Sequence, residues 1–329
     1  MDASRYRIRE FREDDYPVAA RMWTRLVPQQ PVTVEDLRTW DRVFAAAPNF
    51  VVKRVAEEFP AGNFVGEADL SNSPEMGPLS GFAWGGVGVD PDHQGRGVGL
   101  ALAAELQREA ERRGSVCLWA TARSDDERSL RFLAQQGFQA RRRSWISVLT
   151  LDAAREFPDR SGELAKEGIT FTTLAEEGAE RSDVLRRVAD LFTEAEADAP
   201  RMGTFTPPTF EQFLQLNVHR PTILPEAYFL ARRGEEYVGM STLERINAEP
   251  DTLWQTFTGT RRSVRGRGVA KELKRRTVEF GRRHGYRKIR TGNDSLNAPM
   301  WAINQKLGYQ QLLTWVTAEK TMGPPPKSP

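Results

Sequence analysis

The chain has 329 residues, of which 39% are hydrophobic, and its formal net charge is +2. This length predicts about two domains, and a charge so close to balance gives no global argument for a nucleic-acid or membrane partner. The single cysteine, Cys117, excludes an intrachain disulfide, and its apolar neighbours favour a buried strand position over a nucleophile. Because the histidines lack metal-ligand spacing and no apolar run is long enough to span a membrane, we expect no metal, no membrane partner and a cytoplasmic location.

Hydrophobic periodicity predicts alternating strands and helices in the first half. In chain order, the predicted elements are a strand at 6–11, helices at 18–26 and 34–44, strands at 49–55, 63–70 and 81–89, a helix at 97–113, a strand at 115–121, a helix at 126–136 and strands over 138–151. Residues 152–168 are polar and lack periodicity, which is typical of a linker.

The same order repeats after this linker. Residues 169–177 parallel 6–14, and from the glycine-rich turn onward the offset between equivalent positions stays at 171 residues. A constant offset across a turn, two helices and a strand indicates an internal duplication. We therefore predict an N-terminal domain at 1–151, a C-terminal domain at 169–322, and a flexible proline-rich tail at 323–329.

The central motif of each half is a glycine-rich turn after the fourth strand. The two copies consist of Gln94, Gly95, Arg96, Gly97, Val98 and Gly99, and of Arg265, Gly266, Arg267, Gly268, Val269 and Ala270. A turn that opens a helix exposes backbone N–H groups and favours an anion. Neither copy has the Gly-Lys-Ser/Thr of a P-loop, and neither follows the first strand as in a dinucleotide fold. A tight turn without a ligand is the alternative, which the repetition disfavours.

These turns resemble the signature of the GNAT superfamily of acetyl-CoA-dependent N-acyltransferases. That signature, Gln or Arg, two residues, Gly, one residue, then Gly or Ala, begins at Gln94 and again at Arg265. The family's second signature is similar to Asn297 and the pair at 308–309, although Asn304 stands where a tyrosine is usual. The resemblance implies an α+β fold of two tandem GNAT-like domains, each with a mixed, mostly antiparallel sheet flanked by helices. The tandem arrangement resembles that of mycothiol synthase.

The resemblance also implies which residues bind the coenzyme. Backbone amides of the two turns would cradle the pyrophosphate of acetyl-CoA, with favourable charge from the helix dipole. Parted fourth and fifth strands would let the backbone at Val89 or Thr260 pair with the pantetheine arm and polarise the thioester carbonyl. Asn297 would lie near the coenzyme arm.

Candidate acid–base groups are carboxylates on the strands beside the acyl site. Glu67 and Asp69 share one face of the third strand, whereas the equivalent positions of the second half are Met240 and Thr242, with Glu244 just beyond. Each carboxylate is a base candidate, with a solvated or ion-paired role as the alternative. The polar run at 291–297 favours the second half as the catalytic one, with a helix cap as the alternative role for that run.

We therefore expect acetyl transfer from acetyl-CoA to a primary amine, with a small molecule favoured over a protein as acceptor. A coenzyme-binding sensor or structural module is the alternative from another class. Residues 261–290 carry thirteen lysines and arginines against two glutamates. We expect a solvated surface there, with the 3′-phosphate of coenzyme A, an acidic substrate or a nucleic acid as the alternative partners. The lack of interleaved aromatic residues disfavours a nucleic acid. The protein would be a monomer with pseudo-dimeric halves or a homodimer.

Overall fold

The computed structural model describes residues 5–45, 49–72, 81–199 and 205–323. The chain forms two compact units, the first comprising Met1–Arg143 with Trp315–Pro329, and the second Ser144–Thr314. Within the described ranges, no helix is both long enough and apolar enough to cross a bilayer.

The first unit has a mixed sheet with helices on both faces. Its strands are β1 (Tyr6–Glu10), β2 (Val51–Glu58), β3 (Asn63–Ser71), β4 (Phe82–Val89) and β5 (Cys117–Arg123), and its helices are α1 (Tyr16–Leu26), α2 (Val34–Ala45), α3 (Val98–Arg112) and α4 (Glu127–Gln135). The sixth strand, β12 (Gln310–Thr321), comes from the end of the chain, and the order is β1-β2-β3-β4-β5-β12. Only β4 and β5 are parallel; the other neighbours are antiparallel.

The second unit repeats this plan. It begins within β6 (Gln139–Thr150) and continues with α5 (Ser161–Lys166), β7 (Ile169–Thr173), α6 (Leu174–Glu177), α7 (Ser182–Ala197), α8 (Phe210–Asn217), β8 (Ile223–Arg233), β9 (Glu236–Ile246), β10 (Glu249–Thr260), α9 (Val269–Arg283), β11 (Lys288–Asp294) and α10 (Ala298–Leu307). The order of its strands is β6-β11-β10-β9-β8-β7, and only β10 and β11 are parallel.

The last strand of each half pairs in the unit of the other half. Thr321 of β12 lies opposite Cys117 in the first unit, and Thr150 of β6 lies opposite Lys288 in the second. Thr150 precedes Thr321 by 171 residues, and Lys288 follows Cys117 by 171 residues. The two pairs are therefore equivalent, and the two strand registers are the same. The boundaries predicted from the sequence assign each last strand to its own half. The two strands are equivalent and have similar residue patterns, so the sequence near each strand does not indicate with which half it pairs.

Of the two segments predicted to lie outside the domains, the linker is described by the structure and the tail beyond Gly323 is not. Within residues 152–168 the structure has the short helix α5, whose Leu164 is fully buried in the second unit. An amphipathic turn this short gives little periodicity, which explains why the sequence indicated only a linker. The predicted tail beyond Gly323 lies outside the described residues.

Each sheet is covered by a long helix on one face. In the first unit, Val98, Leu102 and Leu106 of α3 recur every four residues and are buried against β3 and β4. On the other face, Ala19 and Ala20 of α1 pack with α2. In the second unit α9 and α7 take the equivalent places. This two-sided mixed sheet is the architecture predicted from the sequence.

Candidate functional site

The parallel strands of each sheet part partway along their length. In the first unit, β4 pairs with β5 from Phe82 to Trp84, and residues 85–89 pair with β3 alone. In the second, β10 and β11 pair as far as Gln255, opposite Thr291, and then separate. A parted pair presents free backbone donors and acceptors along one strand, to which an extended ligand can add like a further strand.

The first glycine-rich turn opens directly into α3. Gly95 and Gly97 have φ values of 79° and 80°, a left-handed conformation that glycine adopts without strain. Gly97 is the N-cap of α3, and no side chain caps this end of the helix. The amides of the first turn of a helix have no intrahelical acceptors, so this end can bind an anion.

The first side chain of each turn anchors the turn to its strand. Gln94 Nε2 donates to the Val89 carbonyl oxygen at 3.0 Å, and Arg128 donates to Gln94 Oε1 at 2.8 Å. In the second unit, Arg265 donates to the Thr260 carbonyl oxygen at 3.3 Å. Gln and Arg both have a side chain long enough to bring an N–H donor to this carbonyl oxygen. This gives a physical reason why either residue occurs at this position.

The second turn has the same backbone but a different neighbour. Gly266 and Gly268 have φ values of 78° and 92°, and no side chain caps α9. The Arg160 guanidinium lies against Gly268 and donates to the Arg267 carbonyl oxygen at 3.0 Å. Arg160 comes from the predicted linker. Its proximity to the turn has no signal in the sequence because the two segments are about 107 residues apart.

Two of the three candidate bases are held by cations. Glu67 is buried and accepts from Lys53 at 2.9 Å and from Trp23 at 3.1 Å. Glu244 accepts from Thr222 at 2.6 Å and from Arg220 at 3.1 Å. Both carboxylates therefore have structural partners, which is the alternative that the sequence left open.

Asp69 has a different environment. Its carboxylate lies over Gly86 of β4, in the space that any larger side chain there would fill. Burial, together with the negative charge of nearby Glu67, raises the pKa of Asp69 to about 7, although Lys53 opposes the shift. Asp69 is therefore a carboxyl group that can gain or lose a proton near neutrality, beside the open part of β4.

The polar run of the second half is largely engaged within the protein. Thr291 donates to the Gln255 carbonyl oxygen at 3.1 Å, and Asn293 accepts from Ser147 at 2.7 Å. Asn297 caps α10 by accepting from the Met300 amide at 3.3 Å. Asn304, where the family usually has tyrosine, is fully buried, and both polar atoms of its side chain lack a partner among the described residues.

Many basic side chains of the segment at 261–290 form ion pairs with acidic side chains. These ion pairs join Arg261 to Glu194, Arg262 and Arg265 to Asp198, Arg267 to Glu167, and Arg275 and Arg276 to Glu272. The two arginines beside Asp198 hold the pKa of its carboxyl well below its usual range. These partners support the expectation of an ordinary solvated surface.

Cys117 is buried on β5, and burial raises the pKa of its thiol to about 12. A thiol with so high a pKa is not ionised at neutral pH and is a poor nucleophile. The expectation of a buried strand cysteine agrees with this environment.

Comparison with known proteins gives consistent results for both halves. The acetyltransferase (GNAT) family matches residues 6–138 and 188–309. The chain is similar to mycothiol acetyltransferases of Corynebacterium glutamicum (strain R), 25% identical over 71% of this chain and 74% of the relative, and of Streptomyces bingchenggensis (strain BCW-1), 28% identical over 77% and 76%.

Two solved structures share the fold over almost the whole chain. A GCN5-related N-acetyltransferase from Sphaerobacter thermophilus has a TM-score of 0.71 at 22% identity, covering 97% of this chain and 96% of its own. A tandem GNAT protein from the clavulanic acid biosynthesis pathway has a TM-score of 0.72 at 20% identity, covering 97% and 99%. With a family match in each half, this chain belongs to the acetyltransferase (GNAT) family, which confirms the resemblance, the tandem α+β fold and the enzyme class predicted from its sequence.

Proposed function

We propose that the protein transfers an acetyl group from acetyl-CoA to a primary amine of a small molecule, and that the first unit does so with Asp69 as general base. The observation that carries this proposal is the position of Asp69 over Gly86, on the strand that parts from its neighbour. A base that titrates near neutrality can accept a proton from an amine at physiological pH.

The first unit fits the coenzyme by the chemistry of its turn. The uncapped amides that follow Gly95 would take the pyrophosphate, with positive charge supplied by Arg96 within the turn and by Arg128, which donates to Gln94. The unpaired edge of residues 85–89 would hold the pantetheine arm by backbone hydrogen bonds. When bound there, acetyl-CoA supplies the activated acetyl thioester.

The residues of this unit then have separate tasks. Asp69 accepts the proton that the amine loses as its nitrogen forms the new amide bond. A backbone N–H of the open part of β4 stabilises the negative charge that develops on the carbonyl oxygen. Leu133 stands where the family usually has tyrosine, so water protonates the departing thiolate in this unit.

A small-molecule acceptor is supported by the relatives, whose names refer to mycothiol, a small molecule. Protein acetylation is the second candidate within this class. Release of free thiol from acetyl-CoA, measured with a panel of small amines and with peptides bearing a free N-terminus or lysine, separates the two. Turnover with small amines alone supports the proposal, turnover with peptides alone refutes the acceptor class, and coenzyme binding without any thiol release refutes the enzyme assignment in favour of a sensor.

A further inference from the structure

A lysine is buried in the core of the second unit and has no carboxylate partner among the residues that the structure describes. Lys274, on the second turn of α9, is 1% exposed. Its Nζ donates to Gln255 Oε1 and lies 5.4 Å from the centre of the Tyr309 ring. The equivalent position of the first half is Ala103, so the fold itself does not require a lysine here.

This lysine lies beside the point where the two parallel strands part. Gln255 is the last residue of β10 that pairs with β11. Directly after it the register between β10 and β9 shifts, which marks a β-bulge at Thr256. A bulge turns a backbone group out of the regular ladder and is common beside active sites. The ammonium of Lys274 is thus hydrogen-bonded to the side chain of the last residue before β10 and β11 separate.

Neighbouring polar groups hold Gln255 in one orientation. Its Nε2 donates to Ser241 Oγ at 2.8 Å, and Ser241 in turn pairs with Thr258 at 2.8 Å. The amide oxygen of Gln255 therefore points towards Lys274. This arrangement fixes the lysine without neutralising it.

The charge state of Lys274 is set by burial. The groups that face it are Gln255 from β10, the Thr277 hydroxyl from its own helix, and Tyr309 before β12. None of these carries a charge at neutral pH, since burial also raises the pKa of Tyr309 far above its usual value. Burial alone lowers the pKa of Lys274 to about 7. The side chain can therefore give up a proton readily near neutral pH.

We propose that the second unit is a second acyl-transfer centre, in which Lys274 donates a proton to the departing coenzyme A thiolate. This inference rests on the proposed use of acetyl-CoA. As the amine nitrogen bonds to the acetyl carbon, the carbon–sulfur bond breaks and its electron pair goes to sulfur, which takes a proton from Lys274 Nζ. The amine loses a proton to water, and the neutral lysine regains one from water.

The same unit restricts the acceptor to weakly basic amines. Met240 and Thr242 replace Glu67 and Asp69, and Glu244 is bound by Arg220. No carboxylate among these positions is free to deprotonate an alkylammonium ion. An arylamine or an acyl hydrazide is already neutral at pH 7 and needs no such base.

The test uses the full chain with Gly97→Glu, which restricts coenzyme binding to the second unit. Lys274→Met is compared with Lys271→Met, a matched change at an exposed position of the same helix. Turnover with aniline, which is neutral over this range, is measured from pH 6 to pH 9. We expect Lys274→Met to slow this turnover about 100-fold at pH 6 and to remove its fall above about pH 7, where the lysine loses its proton, and Lys271→Met to leave both unchanged.

A second variant keeps the inference falsifiable if Lys274→Met does not fold. Gln255→Glu places a carboxylate on the lysine, which raises its pKa, and should move the fall of the rate at high pH upward by about one unit. An unchanged rate and pH profile in a folded Lys274→Met protein, or an unshifted pH profile in Gln255→Glu, overturns the inference. Acetylation of Lys274 itself, detected by mass spectrometry, also overturns it. If coenzyme A does not bind to the Gly97→Glu chain, the inference is also overturned; if it does not bind to the unaltered chain either, the proposed function fails instead.

Discussion

Replacing Asp69 by asparagine should abolish most turnover of the first unit and at the same time stabilise the protein. The carboxylate is ionised in the unfolded chain at pH 8, but in the folded protein burial raises its pKa to about 7. Above that pH, folding therefore moves an ionised carboxylate from water into a buried site, which is unfavourable. Asparagine has nearly the same shape without the charge. The variant therefore lacks the general base and also avoids the unfavourable burial of a carboxylate.

The size of the stability effect follows from the two pKa values. A folded pKa near 7 against an ordinary value of 3.8 destabilises the ionised protein by about 4 kcal/mol as an upper limit. For an acid whose pKa is raised on folding, this penalty grows as pH rises from about 4 to about 7 and is constant above. The advantage of Asp69→Asn should therefore increase from about 2 kcal/mol at pH 5 to about 4 kcal/mol at pH 8.

Urea denaturation of both proteins at pH 5 and pH 8 measures this difference, with Glu10→Gln, an exposed carboxylate at the end of β1, as the control. Thiol release is measured on a Gly268→Glu background, so that only the first unit turns over. We expect a loss of about 100-fold to 10,000-fold in kcat, as for removal of a general base. A stability gain that is the same at both pH values would refute the buried charge. A variant that keeps the parent turnover rate, and the increase of that rate with pH, would refute the role of Asp69 as base.

Three further changes test the turns and the site around them. Coenzyme A titrated calorimetrically should bind two molecules per chain, and Gly97→Glu or Gly268→Glu should each reduce this to one, because both place bulk and negative charge at a left-handed glycine; an unchanged stoichiometry would exclude that turn as the binding site. Gln94→Arg should keep the coenzyme affinity of the first unit, since Arg265 makes the same bond in the second, whereas Gln94→Leu should weaken it about tenfold; equal affinities would show that the anchoring bond is unimportant. Lys53→Met should lower the free energy of unfolding by about 3 kcal/mol at pH 8 by leaving Glu67 buried and unpaired, with the double variant Lys53→Met/Glu67→Gln restoring much of it; no loss in the single variant would show that the pair does not matter.

The positions of the turns, the helices and most strands follow from the sequence because they depend on local patterns. Apolar residues every four positions in α3 and glycines at left-handed positions act within one element, so the chain order reveals them. The roles of the carboxylates do not follow in this way. Glu67 and Asp69 have the same pattern in the sequence. They are distinguished by Lys53 and Gly86, which come from other strands.

The same limit explains what the sequence missed in the second unit. Lys274 belongs to a basic run whose other members are paired or exposed at the surface, so composition indicates a solvated helix face. Its burial depends on Gln255 and Tyr309, which are far from it in sequence. The comparison of aligned halves does contain a signal, since a lysine stands where the first half has Ala103, next to the buried Leu102.

The exchange of last strands makes a further prediction about the predicted domain at 1–151. That fragment lacks β12, but it contains residues 144–150 of β6, which could in principle pair with β5 in the same register. The side chains oppose this substitution. Trp145 would have to occupy the place of Val316, which is 6% exposed, and Val148 would replace Glu319, the acceptor for Trp119 Nε1 at 3.1 Å.

We therefore expect the fragment 1–151 to lack a cooperative thermal transition and to self-associate through the unpaired edge of β5, although it spans a whole repeat of the sequence. A peptide covering 310–323, added in trans, should restore a cooperative transition, and a peptide covering 139–152 should not. Circular dichroism melts and sedimentation of the fragment with each peptide measure this. A fragment that is monomeric and melts cooperatively alone would show that β6 can serve in place of β12. The exchange would then follow from chain connectivity, and side-chain fit would not be its cause.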